Sequence, residues 1–132
     1  MKTENNSSKV VGQLNSGIIS TFCLTNMHAG QNIYCGDANK LHMQNSHPND
    51  YQKYYSMLED IIENPTYIAK HPKKESIEFI KEIQQNGETV LVAVRASGNG
   101  ILFTRTLFVM SPTKIQAYKN RSALIPYKSI KK

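Results

Sequence analysis

Two arginines and two threonines interrupt the most apolar stretch of the chain, Glu88–Met110, which reads ETVLVAVRASGNGILFTRTLFVM. Burying an unpaired polar group costs roughly 2–7 kcal/mol, so Arg95, Thr104, Arg105 and Thr106 need partners. Phosphate is a chemically apt one. The guanidinium fork presents several donors in fixed geometry and keeps its charge. The stretch reads as two strands around a Ser97-Gly98-Asn99-Gly100 turn, and the glycines allow a backbone to approach a ligand closely. A loop of Ala96–Gly100 sets Arg95 opposite Ile101 and puts both arginines on one face. A loop one residue shorter moves Arg95 to the face of Thr104 and Thr106. In the competing reading both arginines pair with carboxylates from a helix.

Four histidines could move protons: His28, His42, His47 and His71. If Asn39–Met43 is extended, Lys40 and His42 lie side by side on one face. His28 lies in a turn. His47 reads as a helix-start residue and His71 as part of a connector before Pro72, so His42 or His28 is the better candidate. His42 and His47 lack a third metal ligand, and neither a metal nor another cofactor is expected. A metal-free ribonuclease needs a base for the ribose 2′-hydroxyl, an acid for the leaving 5′-oxygen and cations for the phosphorane. The chain offers His42 or His28 for proton transfer. It offers Lys40, Arg95 and Arg105 for the phosphate, and Thr104 or Thr106 for orientation.

These residues must be held by a modest fold. The 132 residues suit one domain, and 39% hydrophobic content suits one core. Residues 1–15 read as a polar tail, leaving 16–132 as the domain. Ser16–Leu24 and Asn32–Cys35 read as strands. Ser46–Asp50 starts a helix whose stripe is Tyr51, Tyr54, Tyr55, Leu58, Ile61 and Ile62. A second helix is expected over Glu75–Gln85, with Ile77, Phe79, Ile80 and Ile83 inward. The hairpin follows, then a segment of unassigned type at Lys114–Tyr118 and a basic end. Clustered helices point to an α+β fold: a small antiparallel sheet with two helices packed on one face.

The net charge of +6 and pI near 9.3 favour an anionic partner or simply a basic surface. No apolar run is long enough to span a bilayer, and Met1–Lys9 lacks the apolar core of a signal peptide, so no membrane association and a cytoplasmic location are expected. Cys23 and Cys35 lack zinc-site spacing and read as two buried thiols in a cytosolic chain, or as a pair that geometry would decide in an exported one.

Several stretches in order resemble the phage-borne branch of the barnase/EndoU/colicin/RelE-like nucleases. They are His42-Met43 to His47-Pro48, Ile61–Ile68, Val92–Ser97 and Phe103–Leu107. The likeness spans about residues 15 to 120. It implies a compact α+β fold, metal-independent RNA cleavage and an origin in phages or mobile elements. The matching positions are His42, His47, Arg95, Ser97, Arg105 and Thr106. The resulting expectation is a metal-independent ribonuclease acting through the 2′-hydroxyl. Its candidate catalytic residues are His42, Arg95, Arg105 and Thr106, with Lys40, Ser97, His47 and Thr104 binding substrate. Its candidate partners are RNA (tRNA or mRNA) and an immunity or antitoxin protein, with a toxin or effector role. The alternative is a non-catalytic nucleic-acid-binding module or a phage-associated interaction protein.

Overall fold

Val90–Val94 contains no polar residue, and all five side chains are buried. Such a run belongs in a strand covered on both faces. A computed structural model, which describes residues 8–72 and 74–130, places it at the middle of a seven-stranded sheet. The strands are β1 (Lys9–Gln13), β2 (Asn32–Cys35), β3 (Tyr67–Lys70), β4 (Ser76–Ile83), β5 (Glu88–Ala96), β6 (Leu102–Val109) and β7 (Ile125–Pro126). Their order is β1-β2-β6-β5-β4-β3-β7. The β2–β6 pair is parallel and the rest are antiparallel.

The helices are α1 (Ser16–Phe22), α2 (Asp37–Ser46), α3 (Pro48–Tyr54), α4 (Leu58–Glu63) and α5 (Pro112–Asn120). Ile18, Met43, Tyr54, Leu58, Ile61 and Ile62 bring α1 to α4 onto one sheet face, against side chains such as Ile77, Phe79, Val90 and Val92. On the other face α5 contributes Ile115 and Tyr118, packed with Ala69, Ile80, Leu91 and Met110. The α+β class holds, but the expected small antiparallel sheet is a large mixed one, and helices cover both faces. Among the described residues no helix is long and apolar enough to cross a membrane.

Four local expectations are corrected. Ser16–Phe22 is a helix rather than a strand, because the Asn15 side chain accepts the Ile18 N–H at 2.9 Å and supplies the N-cap. Asp37–Ser46 is likewise helical, with Gly36 N–H donating to Asn39 Oδ1 at 2.7 Å at its start. Ser76–Ile83 is a strand rather than a helix, paired residue by residue with β5. Its period of two is hidden because Ile77 and Phe79 face one layer while Ile80 faces the other. Lys9–Gln13, expected within the tail, is an edge strand; residues 1–7 of that tail lie outside the described residues. The amphipathic helix after His47 is present but interrupted by a 3-10 turn at Tyr55–Met57.

Where β2 stops, the edge of β6 is closed by Asp50 of α3, whose Oδ2 accepts the Val109 N–H at 2.9 Å. Further out on the same side, the edge strand β1 lies close on α4: a Cβ on Gly12 would come within 2.5 Å of Ile62 Cγ2. Ile62 is itself buried and cannot swing away. Gly12→Ala is therefore expected to destabilise the fold by about 1–3 kcal/mol through overpacking, read as a lower urea midpoint. An unchanged midpoint would show that the contact relaxes freely.

Candidate active site

The site follows from a single irregularity in the β5–β6 ladder. Ala96, Arg95 and Val94 pair with Leu102, Phe103 and Thr104, but Ala93 pairs with Thr106, so Arg105 is an extra residue. Such a β-bulge re-aims side chains. Arg105 and Thr106 both line a cleft of about 280 Å3, together with Arg95. The two arginines therefore do share a face. The pairing is neither of the two registers expected from loop length, because Arg95 faces Phe103 and the bulge resets the alternation.

The cleft lies on the α5 side of the sheet. Its rows run across the strands: Ser76 beside Arg95, and Glu78 beside Ala93 beside Thr106. The small Ala93 in the floor leaves room above it. His71, just past β3, donates its backbone N–H to Ser76 O at 2.9 Å and also lines the cleft. Lys114, Tyr118 and Arg121, on and just after α5, form the opposite wall. Ser111 caps that helix, its Oγ accepting the Lys114 N–H at 3.1 Å.

The charge pattern is strongly asymmetric. Among the described residues, Lys74, Arg95, Arg105, Lys114 and Arg121 line the cleft with a single carboxylate, Glu78. Glu78 is only 5% exposed, and its Oε1 accepts a hydrogen bond from the Tyr118 hydroxyl at 2.8 Å. Burial raises its pKa above the usual carboxylate range. The Tyr118 hydrogen bond and the charges of His71, Lys114 and Arg121 pull in the opposite direction. Arg95 Nε is buried with no hydrogen-bond partner, and among the described residues neither Arg95 nor Arg105 is in an ion pair. That removes the reading in which both pair with helix carboxylates. Cations also lie over the aromatic rings of the rim: Lys114 Nζ is 5.3 Å from the Phe108 centroid, and the Arg121 guanidinium carbon is 4.7 Å from that of Tyr118.

The other residues expected at the site are dispersed. Lys40 and His42 lie on α2, not on an extended segment. Positions two apart on a helix do not face each other, so the expected side-by-side pair is absent. Lys40 pairs instead with Asp37 at 3.7 Å, and neither residue lines the cleft. Thr104 is fully buried, opposite Val94, and its hydroxyl has no partner; nothing in the structure explains that orphan. Ser97 Oγ accepts the Asn99 and Ile101 N–H groups at 3.2 Å each and shapes the turn. His28 is exposed in its loop. His47 joins α2 to α3, and its ring stands 5.2 Å from that of Phe108, which lines the cleft.

Reading the residues in sequence missed Glu78, His71, Lys114, Tyr118 and Arg121. The usable signal was Ile77-Glu78-Phe79: as a strand, it places a carboxylate on a covered face. A larger hollow of about 880 Å3 lies between the Asn64–Tyr67 turn and the Pro126–Ile130 segment. Among the described residues of its lining, Lys128 is the one charged group and there is no carboxylate or imidazole.

Residues 9–117 match a family model described as phage-Barnase-EndoU-ColicinE5/D-RelE like nuclease3, and the chain belongs to this family. The resemblance read from its motifs is thereby borne out. The family is one of phage-like nucleases, and its substrate class is nucleic acid. No curated protein and no solved structure matched the chain.

The buried carboxylate makes a stability prediction. Glu78 binds its proton more tightly folded than unfolded. Its ionisation therefore costs stability as pH rises from the ordinary carboxylate pKa through the raised one. Relative to wild type, Glu78→Gln should become progressively more stable as pH rises across that window, measured by urea denaturation at pH 4 and pH 7. A pH-independent difference would contradict the raised pKa.

Proposed function

We propose that the protein is a ribonuclease that cleaves RNA without a metal, by attack of a ribose 2′-hydroxyl on the adjacent phosphorus. The observation that carries this reading is the pairing of a buried carboxylate and a histidine, Glu78 and His71, in the cleft that also gathers Arg95 and Arg105. One carboxylate among five cations is a poor seat for a divalent ion, since like charges repel. The same set is well matched to a phosphodiester.

Glu78, as carboxylate, takes the proton from the 2′-hydroxyl. The 2′-oxygen bonds to phosphorus and the bond from phosphorus to the 5′-oxygen breaks. His71, as imidazolium, gives its proton to that leaving oxygen. Arg95 and Arg105 neutralise charge on the phosphorane, and Thr106 donates a hydrogen bond to a non-bridging oxygen. The step ends with protonated Glu78, neutral His71 and a 2′,3′-cyclic phosphate; proton exchange with solvent resets the pair. A burial-raised carboxyl pKa makes Glu78 a stronger base than an ordinary carboxylate. The proton-transfer role expected of His42 passes to this pair. The substrates are RNAs of the cytoplasm, tRNA or mRNA. The basic cleft also suits an acidic immunity or antitoxin protein, which goes with a toxin or effector role.

In buffer containing EDTA the purified protein should cut RNA and leave DNA intact. Glu78→Gln and His71→Ala should each lower kcat by about 10²–10⁴. Arg95→Ala and Arg105→Ala should cost about 10²–10³. His42→Ala and Lys40→Ala should leave the rate unchanged. Salt-sensitive RNA binding without cleavage would instead favour a non-catalytic nucleic-acid-binding module. Full activity in Glu78→Gln would remove the mechanism.

A further inference from the structure

Tyr118 lies one residue beyond the stretch of this chain that matches the family model, residues 9–117. It is 6% exposed, and its hydroxyl reaches Glu78 Oε1 at 2.8 Å. The ring has a packing role of its own, against the α5 side of the sheet with Ala69, Ile80 and Leu91. The hydroxyl is not needed for that. A phenylalanine would keep the apolar contacts and the ring beside Arg121, and lose the hydroxyl that donates to Glu78.

We infer that Tyr118 is a positioning residue for Glu78: its hydroxyl holds Oε1 and fixes the carboxylate, leaving Oε2 to receive the 2′-hydroxyl proton. This rests on the ribonuclease reading. The groups that share the cleft with Glu78 come from every element around it. His71 and Lys74 lie between β3 and β4, Arg95 on β5 and Arg105 on β6, with Lys114 and Arg121 on and just after α5. All of these carry or can carry positive charge; Tyr118 is the neutral group that donates to the Glu78 carboxylate. Burial and the adjacent Glu78 carboxylate push the phenol's pKa up, so it remains a donor throughout the working pH range. The Arg121 guanidinium carbon stands 4.7 Å from the ring centroid, and its charge pulls the phenol's pKa in the opposite direction without offsetting the rise.

A donor to the charged form of a carboxyl favours that form. Removing it should shift Glu78 further toward the protonated state. The experiment compares wild type, Tyr118→Phe and, as control, Tyr67→Phe, whose hydroxyl is 3.5 Å from the unrelated Glu82. Two quantities are read: the titration of the Glu78 side-chain carboxyl carbon by NMR in the free protein, and the pH profile of kcat/KM on an RNA oligonucleotide. In Tyr118→Phe both the titration and the acid limb should move to higher pH together. Activity below the limb should fall about tenfold for each unit moved. Tyr67→Phe should move neither. A Glu78 titration unmoved in Tyr118→Phe overturns the inference. So does a loss of rate with an unmoved acid limb, which would mark Tyr118 as merely structural. A shifted titration in a protein whose wild type cuts no RNA overturns the ribonuclease reading and leaves the hold of Tyr118 on Glu78 standing.

Discussion

Everything at the cleft depends on one carboxylate kept out of water. Glu78 sits on the face of a strand whose neighbours, Ile77 and Phe79, are buried in the opposite layer. The strand must run straight for those two residues to pack, and alternation then forces Glu78 onto the other face. There its charge is opposed by desolvation and supported by the Tyr118 hydroxyl and surrounding cations. A buried carboxylate of this kind detracts from stability at neutral pH, which is common where a residue serves chemistry rather than folding.

The two faces of the sheet divide the work. One is closed by four helices and holds most of the large apolar side chains. It can therefore support a β5 strand buried on both sides and a β6 strand whose edge is finished by Asp50. The other face has α5 alone among the helices, and the sheet beside that helix stays open as the cleft. The bulge at Arg105 converts that open area into a site. Without the extra residue, Arg105 and Thr106 would point to opposite faces. With it, both join Arg95, whose buried Nε has no hydrogen-bond partner, over the small Ala93.

The hairpin was the most legible part of the sequence. Its Val-rich first strand, its Gly-containing turn and its misplaced arginines all appear where the residue types put them, and the family resemblance carried by those motifs was correct. The bulge was not legible, because Thr104, Arg105 and Thr106 are polar in a row and show no alternation that an added residue could break. The same dual burial hid β4. Ile77, Phe79, Ile80 and Ile83 fit a helical stripe as well as they fit a two-faced strand, and the helix reading left Glu78 out of the inward set. His71 was passed over because Pro72 marks a connector, yet a connector that closes a strand end can still face the site. Lys40 and His42 illustrate the converse error: two residues apart is adjacency only in a strand, and the Gly36–Asn39 contact makes that segment a helix.

In the proposed reaction the phosphodiester binds over β5 and β6, between Arg95, Arg105 and α5, and that placement carries all the rest. It is tested most directly by NMR titration of the arginine side-chain and backbone N–H signals with a nucleoside 3′-monophosphate, which supplies the phosphate without a cleavable bond. Saturable shifts at Arg95 Nε–H, at Arg105 and at the Thr106 amide, with α2 unperturbed, are the expected result. Shifts confined to Lys40–His42, or to the hollow at Tyr127 and Lys128, would place the phosphate elsewhere and contradict it.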